Sequence, residues 1–198
     1  SAVPVTVDFA TSNGDEIQEL VVTGAPTTGT FSLFLDGAQS GDLTWPAVSA
    51  AEVQTALEVI PALTGNVTVG GDLSTGAATV TFGGTLTGTD VSELVPSQGS
   101  LSGGSIEVTT ISEAASSGDD YDAASGTLTF APGVTSQQAT VTVNDDVVLE
   151  NDETFFVTLD PNSVTKDGVA DTNATVAGPG TGTIIDDELP PDEYRLWI

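Results

Sequence analysis

The sequence predicts a mainly β protein: an antiparallel β-sandwich with a second β-rich region that carries one short helix. Two observations lead to this fold class. Apolar and polar residues alternate with a period of two along several short segments, as they do in strands with one buried face. Turns rich in Gly, Asp and Pro separate these segments at the short spacing typical of antiparallel sheets. At 198 residues the chain can form one large β domain or two modest ones, and the change of pattern along the sequence favours two.

The strands expected for the sandwich lie at the two ends of the sequence. The first covers residues 3–9 and ends in a turn at 12–15. The others follow in the C-terminal half at residues 126–130, 139–143, 154–159 and 180–185. A Pro-Gly turn and Asp-rich loops separate them, which favours antiparallel pairing.

The region between these parts, residues 15–113, has a different pattern. Strands are predicted at 16–23, 30–35, 43–45, 66–69, 78–82 and 105–109, with a turn at 24–29. Ser49 and Glu52 form a capping box that predicts a helix start, and Pro61 marks its end. The apolar positions between them recur at helical spacing, so this helix face is expected to be core.

Composition excludes several classes of function. The chain has 29 acidic residues against one lysine, Lys166, and one arginine, Arg195, so its formal net charge is -27. Such a surface is unsuited to nucleic acid or to anionic membranes, and no apolar stretch is long enough for membrane insertion. Histidine and cysteine are absent, which excludes disulfides, the usual zinc and haem ligands, and catalysis by Ser-His or Cys-His pairs. Paired carboxylates could serve glycoside hydrolysis, but here they lie in strand-end turns beside many other acids, and the sequence indicates no aromatic-lined cleft. We therefore predict that the protein is not an enzyme.

Two acidic clusters, at residues 144–153 and 184–188, follow predicted strands. Carboxylates packed this closely repel one another, and a hard cation such as Ca²⁺, which takes six to eight oxygen ligands, relieves that repulsion. Both clusters could meet at one end of a sandwich. The alternative is that they are two polar turns between strands.

Five motifs of the C-terminal half resemble those of a Calx-beta domain, in the order and spacing of that family. They are GDDY (118–121), SGTLTFAPG (125–133), VTVNDD (141–146), ENDETF (150–155) and GTIIDDE (182–188). The resemblance implies an immunoglobulin-like β-sandwich of the kind found in sodium-calcium exchangers, integrin β4 and bacterial surface and adhesion proteins. It also implies that Ca²⁺, where bound, sits at one end of the sandwich.

The resemblance implies a set of calcium ligands. They are Asp145, Asp146, Glu150, Asp152, Glu153, Asp186, Asp187 and Glu188. Glu188 stands where the exchanger pattern has an aspartate. Asp15, Glu16, Asp119 or Asp120 could also reach the metals, because they flank the turn that lies at the calcium end in the exchangers.

The resemblance also predicts the domain organisation. Residues 1–14 and 114–189 would form a discontinuous Calx-beta sandwich that lacks the family's first strands. Residues 15–113 would be an inserted module, which resembles a repeat of large bacterial surface proteins. Residues 190–198 would be a C-terminal tail, either a donor strand or a linker.

These features lead to a functional hypothesis. A sandwich without its first strands exposes apolar surface that a strand of another subunit could cover, and such contacts build a head-to-tail polymer. We expect a calcium-stabilised structural subunit of an extracellular or cell-surface filament, sheath or adhesin stalk. The alternative is a calcium-dependent adhesion module whose inserted domain recognises other surface proteins or glycans.

Overall fold

A computed structural model describes residues 3–46, 48–145 and 150–186. Within these ranges the protein is mainly β with one α-helix, which confirms the predicted fold class. The strands are β1 (Val5–Asn13), β2 (Glu16–Leu35), β3 (Ala38–Gln39), β4 (Leu43–Trp45), β5 (Val67–Asp72), β6 (Ala77–Phe82), β7 (Val95–Ser97), β8 (Ser102–Ala114), β9 (Ser125–Phe130), β10 (Glu153–Leu159), β11 (Thr165–Lys166), β12 (Val169–Ala170) and β13 (Gly180–Ile184). No helix in the described ranges is long and apolar enough to cross a membrane.

The chain divides into two compact units. The terminal unit combines Ser1–Gly14 with Ala115–Ile198, and the central unit is Asp15–Ala114. That the central unit is an insertion into a Calx-beta domain stays a prediction.

The central unit is organised around β2. In its first half β2 lies between β6 and β8, and β5 extends this antiparallel sheet beyond β6. In its second half β2 pairs with β3, β4 and β7. The sequence predicted two strands separated by a turn at 24–29, and this was wrong. β2 is one strand whose register against β8 shifts between Gly24 and Thr28, where Gly24 adopts a φ of 79°.

The single α-helix of the described chain, α1 (Ala50–Leu57), begins at the predicted capping box. The Ser49 hydroxyl accepts a hydrogen bond from the Glu52 N–H, and the Glu52 carboxylate accepts one from the Ser49 N–H at 2.8 Å. Val53 and Leu57 are buried, as the helical spacing of apolar residues predicted. They belong to one continuous core that fills the central unit.

A buried polar pair fastens residues 91–94 to β2 within the central unit. The Glu16 carboxylate accepts hydrogen bonds from the Val91 N–H at 2.5 Å and from the Gln18 amide at 2.7 Å, and the Gln18 carbonyl oxygen accepts the Leu94 N–H at 2.9 Å. Burial raises the pKa of Glu16, and the negative charge of Asp90 adds to this effect, while the two hydrogen bonds oppose it.

The terminal unit contains an antiparallel sheet in the order β9-β1-β10-β13. β11 pairs with the beginning of β1 and forms a hairpin with β12. Consecutive neighbours in this sheet come from distant parts of the sequence, so its pairing depends on the fold as a whole. The sheet brings the start of β10 beside the end of β13, through the pair Glu153 and Ile184.

Among the described residues, the core of the terminal unit is small. Its central cluster consists of Ala115, Tyr121 and Phe155, with three partly buried residues packed against it: Val141, Val157 and Ile184. The rings of Tyr121 and Phe155 stack with centroids 4.9 Å apart. The Tyr121 hydroxyl donates a hydrogen bond to the Asn13 side chain of β1 at 3.0 Å, which ties this cluster to the sheet.

Residues 139–143 do not form the strand that their alternating sequence predicted. Val143 makes an isolated antiparallel bridge with Tyr121, flanked by hydrogen bonds from the Asp122 N–H to the Thr142 carbonyl and from the Asn144 N–H to the Asp120 carbonyl, both 2.9 Å. A strand requires a partner along several residues, and the described chain offers this segment only the short stretch 120–122. We refer to residues 139–145 as the edge segment.

Candidate metal centre

Three carboxylates of the terminal unit lie close enough to bind one cation. Asp120, Glu150 and Glu153 each place an oxygen so that all three oxygens lie within 4.8 Å of one another. Glu153 is buried, Asp120 is partly buried and Glu150 is exposed. The group is thus open on one side, where solvent can supply an ion and water ligands.

Asp120 is held by a tight turn that precedes the core residue Tyr121. Its carboxylate accepts a hydrogen bond from the Ser116 N–H at 2.6 Å, and its own N–H donates to the Ser116 carbonyl at 3.1 Å. Because Tyr121 is fully buried, the turn cannot shift without disturbing the core. The preceding acidic residue, Asp119, accepts a hydrogen bond from the Ser116 hydroxyl at 3.2 Å.

Glu153 and Glu150 come from the strand β10 and the loop before it. Glu153 is the first residue of β10 and is only 8% exposed. It points to one face of the strand together with Phe155, two residues later, because side chains alternate along a strand. Packing of Phe155 in the core therefore limits the movement of Glu153, and packing of Tyr121 limits the movement of Asp120.

The chemistry of these donors suits a hard cation. Carboxylate oxygens are the preferred ligands of Ca²⁺ and Mg²⁺, and the chain contains none of the histidine or cysteine ligands that softer metals require. Two charges 4.8 Å apart repel by about 3.5 kcal/mol at an effective dielectric of about 20, and by about 0.9 kcal/mol in water. Three carboxylates would supply at most six oxygens, so Ca²⁺ would complete its shell with carbonyl or water oxygens.

The group contains two of the ligands that the resemblance implied, Glu150 and Glu153, and Asp120, which was considered as a further one. The residues Asp145, Asp152 and Asp186 are described by the structure and are not part of the group. The predicted ligands Asp146, Asp187 and Glu188 lie outside the described residues. The full ligand set therefore stays a prediction.

The two acidic residues at the start of the central unit have other surroundings. The Glu16 carboxylate is committed to hydrogen bonds with Val91 and Gln18. One carboxylate oxygen of Asp15 is buried and has no hydrogen-bond partner. Neither residue belongs to the group of three in the described chain.

Comparisons with known proteins support the Calx-beta resemblance. Residues 95–188 match the Calx-beta domain family. Sodium/calcium exchanger 1 of Rattus norvegicus is 37% identical over 79 residues, which cover 35% of this chain and 8% of the exchanger. Sodium/calcium exchanger 2 of Homo sapiens is 39% identical over 54 residues, 27% of this chain and 6% of the exchanger.

The matches cover only part of this chain and a small part of each exchanger. The chain spans less than a tenth of the length of the curated relatives it matches. The family match begins at residue 95, in β7 of the central unit, whereas the boundary expected from the sequence is at 114. It includes all three carboxylates of the candidate metal centre.

Proposed function

We propose that the terminal unit is a non-catalytic, calcium-binding β module in which Asp120, Glu150 and Glu153 hold the ion. The convergence of these three carboxylates within 4.8 Å carries the proposal. The family match over residues 95–188 and relatives named as sodium/calcium exchangers favour calcium over other hard cations. Further ligands would come from the acidic residues of the same loops.

Calcium would act as a cross-link in this unit. The three carboxylates come from two separate stretches of chain, the turn before Tyr121 and the approach to β10. Without an ion their mutual repulsion pushes these stretches apart, and with an ion the same charges draw them together. Because Tyr121 and Phe155 stack in the core, an ion that fixes both stretches also stabilises that contact.

The role of this module is structural in our proposal. We infer that the protein is a subunit of an extracellular or cell-surface filament, sheath or adhesin stalk, and that copies associate head to tail. An acidic chain with a calcium-dependent fold suits the extracellular space, where calcium is abundant. The edge segment, residues 139–145, favours self-association because some of its backbone N–H and C=O groups are available to pair with another strand.

A second candidate role is adhesion. The central unit has a continuous core of its own, with Leu20, Phe31 and Phe82 fully buried, so it does not need the terminal unit's core cluster to bury its apolar residues. In this alternative it would recognise a protein or glycan while the terminal unit serves as a calcium-stabilised spacer.

The calcium proposal is tested by measuring the free energy of unfolding of the full chain with and without calcium. At a calcium concentration 100 times the dissociation constant, the parent should gain about 2.7 kcal/mol. Glu153→Gln should lose this gain, since it keeps the shape of the side chain and removes its charge. Glu107→Gln is the matched control, because Glu107 is an exposed acid of β8 in the central unit.

Two results would contradict the proposal. One is a calcium response in Glu153→Gln equal to that of the parent. The other is an equal loss of response in Glu107→Gln, which would mean that calcium acts on the overall charge and not on one site. Isothermal titration calorimetry on the same three proteins gives the binding stoichiometry independently of stability.

A further inference from the structure

We propose that the edge segment, residues 139–145, accepts residues 190–198 of a second copy of this chain as an added β-strand. The inference rests on the self-association proposed above and deepens it by naming the two surfaces that meet. Four observations support it: the free backbone groups of the edge segment, its side chains, the sequence of the C-terminal residues, and their charge.

One side of the edge segment has free backbone groups. Thr142 and Asn144 direct their main-chain groups toward residues 120–122, where two hydrogen bonds of 2.9 Å form. In an extended chain the residues that alternate with these two, Val141 and Val143, direct their N–H and C=O groups away from residues 120–122. Within the described ranges these groups make no hydrogen bond. The segment is therefore paired on one side and open on the other.

The side chains of the edge segment suit a strand within a sheet. Threonine and valine alternate from Thr140 to Val143, and both residue types favour strands. Val141 packs against the core cluster, but Val143 remains 50% exposed. Natural edge strands are usually protected by lysine, proline or a bulge. Residues 134–145 contain neither lysine nor proline.

The C-terminal residues have the sequence of a complementary strand. Tyr194, Leu196 and Ile198 lie at every second position and would share one face of a strand, and the other face would carry Arg195 and Trp197. Five residues in an extended strand span about 17 Å, the length of residues 141–145 in the same conformation. These residues lie outside the described ranges.

Within the donor, residues 194–198 carry one positive charge, on Arg195, and no acidic side chain, although Asp192 and Glu193 precede them. Arg195 is the one arginine of a chain with 29 acidic residues. The edge segment ends at Asp145, and Asp120 and Asp122 lie on the stretch that pairs with it. An added strand that carries Arg195 would place the cation near these carboxylates, whereas most other surfaces of this chain would bring only further negative charge.

The occupant is assigned to a second copy because of Pro190 and Pro191. Two consecutive prolines favour an extended segment over a tight turn, so the sequence disfavours a hairpin back onto the same chain. Each copy would then donate its C-terminal strand to the next. Such a contact joins two different surfaces, so it does not close on itself and produces a chain of subunits.

Disulfide trapping in the full-length chain tests this contact directly, because the protein contains no cysteine. Val143→Cys and Leu196→Cys are made in separate proteins, mixed and oxidised with a mild copper reagent. Directly opposed residues of paired strands have Cβ atoms about 4.5–5.5 Å apart, close enough for a disulfide after small adjustments. Tyr194→Cys is made as a second donor variant, so that two registers between the edge segment and the added strand are covered.

The expected result is a disulfide-linked heterodimer between Val143→Cys and one of the two donor variants. Val169→Cys is the control for random collision, since Val169 is 70% exposed in β12 and outside the edge segment. Cross-linking no faster than in this control would overturn the proposal. So would a protein carrying both substitutions that closes the disulfide within one chain at high dilution and forms no dimer.

A second measurement keeps the test independent of cysteine chemistry. Leu196→Asp should weaken self-association, measured by light scattering across a concentration series, by at least about tenfold, because burial of a leucine side chain is lost. Val59→Asp, at a residue 61% exposed in the central unit, should leave association unchanged. Association unaffected by Leu196→Asp would overturn the assignment of the donor strand.

The calcium titration of the same variants separates this inference from the proposed calcium site. An intact calcium response with no cross-link overturns strand addition and leaves the calcium site standing. A cross-link in a protein without any calcium response supports strand addition and rejects the calcium site. Circular dichroism of each variant reports folding independently of calcium, so a misfolded variant is recognised before its cross-linking is interpreted.

Discussion

Truncation of Phe155 to alanine should strongly destabilise the terminal unit while the central unit keeps its stability. Phe155 is 7% exposed and stacks on the fully buried Tyr121 with ring centroids 4.9 Å apart. The two rings make up most of the core cluster of the terminal unit, which has Ala115 as its third buried member. The central unit has a separate and much larger core.

The expected loss can be estimated from these contacts. Replacing a buried phenylalanine by alanine typically costs about 3–5 kcal/mol. The aromatic stack favours the upper part of this range, because such pairs contribute about 0.5–1.5 kcal/mol beyond their buried area. A whole domain is usually stable by only about 5–15 kcal/mol. Because the described part of the terminal unit has only this small core cluster, Phe155→Ala should remove a large part of the unit's stability.

Hydrogen exchange measured by mass spectrometry distinguishes the two units within the full chain. A loss of about 3–5 kcal/mol corresponds to exchange about 10²- to 10⁴-fold faster in peptides that cover β10 and β13. Peptides that cover β2 and β6 should be unchanged. Phe31→Ala is the matched control, because Phe31 is 1% exposed in the central core and should give the reverse pattern. Acceleration below about tenfold in β10, or equal acceleration in both units, would refute the reasoning.

Two further predictions follow from single contacts. Gly182→Ala should destabilise the same β10 and β13 peptides, because a Cβ atom at Gly182 would collide with the Phe155 ring, whereas Gly180→Ala, which has room, should be tolerated. Glu16→Gln should gain stability relative to the parent as pH rises above the ordinary carboxyl range. The raised pKa of Glu16 means that the folded parent binds more protons than the unfolded chain, so its contribution to stability is present at low pH and lost as pH rises through the folded-state pKa. Urea unfolding of both proteins across this range measures the difference, and a difference independent of pH would contradict the prediction.

Local signals predicted much of the secondary structure. The capping box at Ser49 and Glu52 specifies the start of α1 through hydrogen bonds within four residues, so no tertiary information is needed. The alternation in β9 and β10 likewise identifies them as strands. The helix start was predictable because its capping residues are close in sequence. The strands were predictable because one buried face produces a period-two pattern of apolar residues.

The differences arise where a distant partner decides the structure. Gly24 to Gly29 has the composition of a turn, but pairing with β8 on both sides of it makes β2 a single irregular strand. Residues 139–143 have the composition of a strand but pair only through Val143, because the described chain provides no longer partner. The composition of a segment indicates which secondary structure it favours, but the strands available to pair with it determine which one it adopts.

The same reasoning applies to the candidate metal centre. Glu150 and Glu153 were predicted because they share one motif with recognisable spacing. Asp120 belongs to another motif, and its distance to the glutamates depends on the stacking of the adjacent Tyr121 on Phe155. A sequence without the fold could name Asp120 as a candidate but could not select it over Asp119.

The candidate metal centre and the edge segment are connected through Asp120. Its carboxylate belongs to the acidic group, and its carbonyl accepts the hydrogen bond from Asn144 in the edge segment. An ion that fixes Asp120 would therefore also hold the paired side of the edge segment in place. The ordering of that side reduces the entropy that an incoming strand must lose, so calcium should strengthen association between copies without touching the added strand itself. In this arrangement Glu153→Gln should weaken self-association although Glu153 lies outside the edge segment, whereas Glu107→Gln should not.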